Sequence, residues 1–143
     1  MYLRFALEGD VHETLATIPL GVRRKLDLAG LKLSLAGWTA LSRAERLAVC
    51  HLPVDSRADL EIYREALRGF AERAGHPVVP LEGGPVDPKT WGPDQVPAAV
   101  SGRVSGADWA AFSDEARYVL LKLADPKRDP AKFDLALEEL ARS

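Results

Sequence analysis

One phrase is written twice in this chain. Residues 37–53 read GWTALSRAERLAVCHLP and residues 107–126 read ADWAAFSDEARYVLLKLADP. Trp38 pairs with Trp109, Leu41 with Phe112, Ser42 with Ser113, Arg46 with Arg117 and Leu52 with Leu123, all at one spacing of 71 residues. Each phrase is a tryptophan turn, a serine placed to cap a helix, and an amphipathic run that carries an arginine. Upstream, Ile18-Pro19 faces Val96-Pro97 and Val22 faces Val100, once a segment corresponding to LAGLKLS is dropped from the second copy. The matched tryptophans are two of only three in the chain, which weighs against coincidence. The economical reading is duplication of a helical unit, over approximately residues 18–53 and 96–126. Catalytic sites are seldom repeated within one small domain; packing units and binding surfaces are.

Local start and stop signals fill in the rest. Ser42 with Glu45 makes a capping box, Ser56 with Asp59 resembles a second, and Ser105 with Asp108 makes a third. Pro19 is read as the first residue of a helix through PLGVRRKLDLAG, with Gly30 as its left-handed stop, and Pro97 is read the same way. The longest predicted helix runs from Ser56 to Gly75 and carries a stripe of Leu60, Tyr63, Leu67, Phe70 and Ala74. Asp129-Pro130 starts the last helix, with Phe133, Leu137 and Leu140 turned inward. Asp10 is read as the cap of a short helix ended by Pro19, YLRFALE as a short N-terminal strand or extended arm, and LKLSL as a short extended connector. Residues 76–97 hold too many prolines and glycines for a regular element and read as a long crossover with Trp91 as its anchor. The fold expected is all-α: one compact multi-helix domain over residues 1–143, built from two similar helical units.

Composition narrows the function. A net charge of −2 offers no general attraction to nucleic acid or to an acidic membrane. The acidic residues Glu8, Asp10 and Glu13 near the start are wrong for a secretory signal, and no apolar run is long enough to cross a bilayer. The lone Cys50 has no partner for an internal disulfide, so a soluble, cytoplasmic protein is expected. Cys50-His51 looks like a thiol with its base, but neighbours on a helix diverge by about 100°, so the pair reads as a core cysteine beside a surface histidine. Glu8, Asp10 and His12 would share a face only in an extended segment, and only the histidine among them is a good transition-metal ligand. No phosphate loop, zinc-ligand pair or nucleophile elbow occurs. No catalytic residue, metal site or cofactor is therefore expected, and the protein does not read as an enzyme.

The main local asymmetry of charge is basic: Arg23, Arg24, Lys25 and Lys32. Arg46 and Arg117 lie on helices otherwise turned inward and require carboxylate or carbonyl partners, with Asp27 and Asp125 as candidates. A tandem DNA-reading pair of helices is excluded by charge, because SDEARYVLLKLA lacks the cations and amides of a recognition helix.

The stretch IPLGVRRKLDLAGLKLSLAGWTALSRAERLAVCHLPV resembles the nitrate reductase associated protein family. The family pattern falls on Ile18-Pro19, Val22-Arg23, Lys25-Leu26-Asp27, Gly30, Lys32-Leu33, Trp38, Glu45-Arg46 and Pro53, with Tyr63-Arg64 in the long helix. Trp109 through Arg117 to Lys122-Leu123, then Phe133 and Leu137, is similar to its C-terminal half. Cyanobacterial members carry cysteines where this chain has Leu28, Ala29 and Val54, so cysteine-based metal or cluster handling is not expected. The resemblance implies a non-catalytic accessory protein of nitrate assimilation that supports the maturation, stability or activity of an assimilatory nitrate reductase. Partner-binding residues expected on that basis are Arg23, Lys25, Asp27 and Lys32. Pro19, Trp38, Ser42, Arg46, Trp109, Ser113 and Arg117 are expected to hold the frame. The alternative is a stand-alone helical interaction or regulatory module, with homodimerisation through the long helix as one arrangement.

Overall fold

Helices make up most of the described chain, and most of them start on a serine or a proline. A computed structural model describes residues 4–142. Its contacts divide into two compact units, one spanning Asp10–Asp87 and one joining residues 4–9 to 88–142.

The 10–87 unit holds α1 (Val11–Thr14), α2 (Leu20–Ala29), α3 (Leu35–Ala40), α4 (Arg43–His51) and the longest helix, α5 (Arg57–Arg73). Pro19 sits one place earlier than expected, at the N-cap of α2, with φ −62° and ψ 152°. Its fixed φ feeds the chain into the helix without an N–H to waste. Gly30 ends α2 at φ 72°. No side chain fits there: a Cβ on Gly30 would lie 2.8 Å from the Pro85 ring. That close approach lets residues 81–86 strap the end of α2, through Leu81 N–H to Gly30 O and Val86 N–H to Asp27 O, both 2.9 Å. The connector after α2 gains a partner that local sequence does not announce. Strand β1 (Leu31–Lys32) pairs antiparallel with β2 (Val79–Pro80), in the register Leu31 with Pro80 and Lys32 with Val79. On α5 the deeply buried stripe is Tyr63, Leu67 and Ala71, while Leu60, Phe70 and Ala74 are half-buried.

The other unit holds α6 (Gly106–Ala111), α7 (Asp114–Leu123) and α8 (Pro130–Ala141). Trp91, on a 3-10 turn over Pro88–Trp91, is buried against Tyr118 of α7, with ring centroids 4.9 Å apart and planes at 79°. Phe133 and Ala136 are the buried positions of α8, with Leu137 and Leu140 at the margin. Glu139 of α8 accepts the Ala6 N–H on both carboxylate oxygens, at 2.9 and 3.2 Å, and so ties the N-terminal residues to this unit. The three tryptophans are at most 1% exposed. Burying an aromatic of this size contributes up to roughly 4–6 kcal/mol by area.

Four expectations need correction. Over the described part of YLRFALE the chain forms a 3-10 turn at Ala6–Glu8, not a strand; residues 1–3 lie outside the described residues. Asp10 precedes α1 without capping it, since its ψ of 11° is not extended and no side-chain bond forms. Helix α1 stops at Leu15, well before Pro19, because Leu15 turns left-handed at φ 53°. Pro97 opens one turn and no helix. Val100 and Ser101 N–H both return to Pro97 O, and then Gly102 at φ 87° ends the run before a helix can propagate.

Candidate functional site

The two phrases fold alike. In the first, Ser34 caps α3 by accepting the Gly37 N–H at 2.9 Å, and Trp38 follows in the next turn, fully buried. The chain leaves α3 through an extended corner at Leu41 (φ −73°, ψ 150°) and Ser42 (φ −68°, ψ 163°). Ser42 and Glu45 then complete the expected capping box, at 3.1 and 2.9 Å. In the second phrase Ser105 accepts from Asp108 N–H at 3.1 Å and Trp109 is fully buried. The corner recurs at Phe112 (φ −71°, ψ 153°) and Ser113 (φ −67°, ψ 161°). Ser113 accepts from Ala116 N–H at 3.2 Å. A short helix needs its end groups satisfied within a few residues, and a serine does so from inside the chain.

In both phrases the indole and the guanidinium reach for main-chain carbonyls. Trp38 Nε1–H donates to Leu15 O at 2.7 Å, and Arg46 donates to Trp38 O (3.1 Å), Leu15 O (3.3 Å) and Thr39 O (2.8 Å). Leu15 O therefore takes donors from two side chains, and that grip holds the left-handed Leu15 in place. Trp109 Nε1–H donates to Gly92 O at 2.7 Å, Arg117 Nε to Trp91 O at 2.7 Å, and Arg117 Nη1 to Phe112 O. The partners are carbonyls and not Asp27 or Asp125. Asp114 stands 3.8 Å from Arg117 and accepts the Trp91 indole N–H at 3.0 Å.

The basic residues divide along the same line. Arg23 on α2 and Lys32 on β1 are exposed, and Asp27 is half-buried. Lys25 does not reach solvent as a docking residue must. It is 5% exposed, and its ammonium donates to Cys50 O and Leu52 O, both at 2.6 Å. Those oxygens close the last turn of α4, where the helix dipole favours a cation. Arg64 of α5 does the same for α2, donating to Ala29 O at 2.8 Å. Arg46 serves the end of α3 and Arg117 the end of α6. Four cations thus act as C-terminal caps supplied from a neighbouring helix. Sequence reading missed this role for Lys25 and Arg64, since each reaches a carbonyl 25 or more residues away.

Cys50 is 1% exposed, and His51 beside it is exposed. Tyr63 donates its hydroxyl to Val49 O at 2.9 Å. Burial pushes the Tyr63 phenol pKa up, and the nearby Cys50 adds to the shift. Glu8 lies on the 3-10 turn and His12 on α1, not in the extended segment that a shared face required. Among the described residues no group of three or more His, Cys, Asp or Glu side chains is placed to hold a metal, and no helix is long and apolar enough to cross a membrane.

No curated protein and no solved structure matches the chain. A family model described as conserved nitrate reductase-associated protein matches residues 4–140.

Proposed function

The chain belongs to the conserved nitrate reductase-associated protein family, and on that premise we propose that it is a non-catalytic accessory protein of nitrate assimilation. In this reading it binds an assimilatory nitrate reductase and supports its maturation, stability or activity. The carrying observation is the match itself, which takes in nearly the whole chain and leaves little room for an added catalytic domain within it. The use of the buried and half-buried polar side chains supports the same reading. Lys25, Arg46, Arg64, Arg117 and Tyr63 all direct their donors at helix ends, which suits a frame that presents surfaces. Within the basic segment, Arg23 and Lys32 are the residues available to meet an acidic patch on the reductase, with Asp27 at its margin. The two like-folded phrases are, on this proposal, copies of one ancestral unit kept for its shape.

Affinity-tagged protein expressed in its own cells is expected to co-purify the reductase, and deletion of the gene to lower reductase activity. An intact reductase activity in the deletion strain, together with no co-purification, would dismiss the proposal. The paired substitution Arg23→Glu with Lys32→Glu, in a protein that keeps its melting temperature, is expected to weaken capture.

A further inference from the structure

The spacing that aligns the two phrases also aligns their outer faces. Asp114, Tyr118 and Lys122 on α7 stand where Arg43, Leu47 and His51 stand on α4. Residues four apart share one side of a helix, so each set is a continuous stripe. On α7 the stripe is covered. Trp91 lies edge-on against Tyr118, its indole N–H meets Asp114 at 3.0 Å, and Tyr118 is 1% exposed. On α4 the stripe is open: Leu47 is 37% exposed, and Arg43 and His51 are exposed at its two ends.

The covered stripe indicates what the open one fits. A flat apolar side chain seats on the middle position while a polar atom engages the first. On α7 the first position is a carboxylate, which takes an N–H. On α4 it is a guanidinium, with one N–H donated to Glu13 O at 2.9 Å and the rest of its donor fork available for an acceptor. The incoming polar atom must therefore be an acceptor, and the two oxygens of a carboxylate suit a guanidinium fork best.

We propose that Arg43, Leu47 and His51 of α4 form a docking stripe for an acidic segment of the reductase whose apolar side chain seats on Leu47 and whose carboxylate meets Arg43. This rests on the accessory reading above and adds a contact separate from Arg23 and Lys32. The test is the affinity of purified full-length protein for purified assimilatory nitrate reductase, measured for the wild type, Leu47→Glu, His51→Glu and the Arg23→Glu/Lys32→Glu pair. Leu47→Glu is expected to weaken binding at least tenfold and His51→Glu several-fold, with unchanged circular dichroism. If Leu47→Glu does not fold, His51→Glu decides alone. Wild-type affinity in the folded stripe variants, with or without loss in the Arg23/Lys32 pair, would overturn the stripe and leave the accessory reading standing. A wild-type protein that does not bind the reductase would overturn the accessory reading, and the stripe with it.

Discussion

Leu15 O takes donors from both Trp38 and Arg46, and that sharing has a measurable consequence. Trp38→Phe removes the 2.7 Å bond but leaves Arg46 Nη1 at 3.3 Å on the same oxygen. The expected cost is about 1 kcal/mol for the bond and about 1–2 kcal/mol for the volume lost at a fully buried site. Arg46→Met removes three bonds, but Thr39 O lies at an exposed end where water replaces the guanidinium, so about 2 kcal/mol is expected. Only the double variant leaves a buried carbonyl with no donor, which adds about 1–2 kcal/mol beyond the sum of the singles. The second phrase supplies the control. Trp109 and Arg117 address different oxygens, Gly92 O and Trp91 O, so each single variant already orphans its own carbonyl. The excess for Trp109→Phe with Arg117→Met is expected to be smaller by about 1 kcal/mol. Urea unfolding followed by far-UV circular dichroism measures both cycles, with an osmolyte present so that every variant has a folded baseline. Additivity within about 0.5 kcal/mol for Trp38 and Arg46, or an equal excess in the two phrases, would refute the shared-oxygen account.

Lys25→Met keeps the aliphatic stem but leaves Cys50 O and Leu52 O without their cation, and is expected to lose about 2–3 kcal/mol in the same urea assay; an unchanged midpoint would show that the ammonium does not support the end of α4. Gly30→Ala combines a left-handed φ of 72° with a Cβ 2.8 Å from Pro85 and should cost roughly 2–3 kcal/mol, against about 1 kcal/mol for Gly75→Ala, where φ is 81° and nothing lies within 4 Å. A melting-temperature loss that is equal for the two alanines would count against the strap over α2. Tyr63 titrates higher when folded than when unfolded, so its contribution is fully present below pH 10 and is lost as pH rises above that value. Tyr63→Phe should flatten the alkaline limb of the stability curve above pH 10, and an unaltered limb would argue against a buried phenol.

Part of this protein is legible residue by residue. Ser42 and Glu45, Ser56, Ser105, Ser113 and Asp129 all cap where their spacing says they should, because a cap needs only the next two or three residues. Pro19 and Gly30 bracket α2 for the same reason. Pro97 shows the limit of such signals: its start cue is as good, but Gly102 follows before a second turn can form. At α1 a tertiary contact overrides the local cue, since the chain turns left-handed at Leu15 and there meets the indole and guanidinium of the next helices.

The basic segment marks the same boundary for function. Arg23 and Lys25 are two residues apart on one helix and read alike, yet Arg23 is exposed and Lys25 is buried on the end of α4. Sequence alone marked most of the helix starts, which turn on a serine, aspartate or proline, and the family the chain resembles, because these depend on neighbours in the chain or on motif identity. Tertiary structure decided which carbonyl each buried cation takes, which side of α4 stays open, and how β1 finds β2. Those choices pair groups tens of residues apart, where no local spacing selects one acceptor over another.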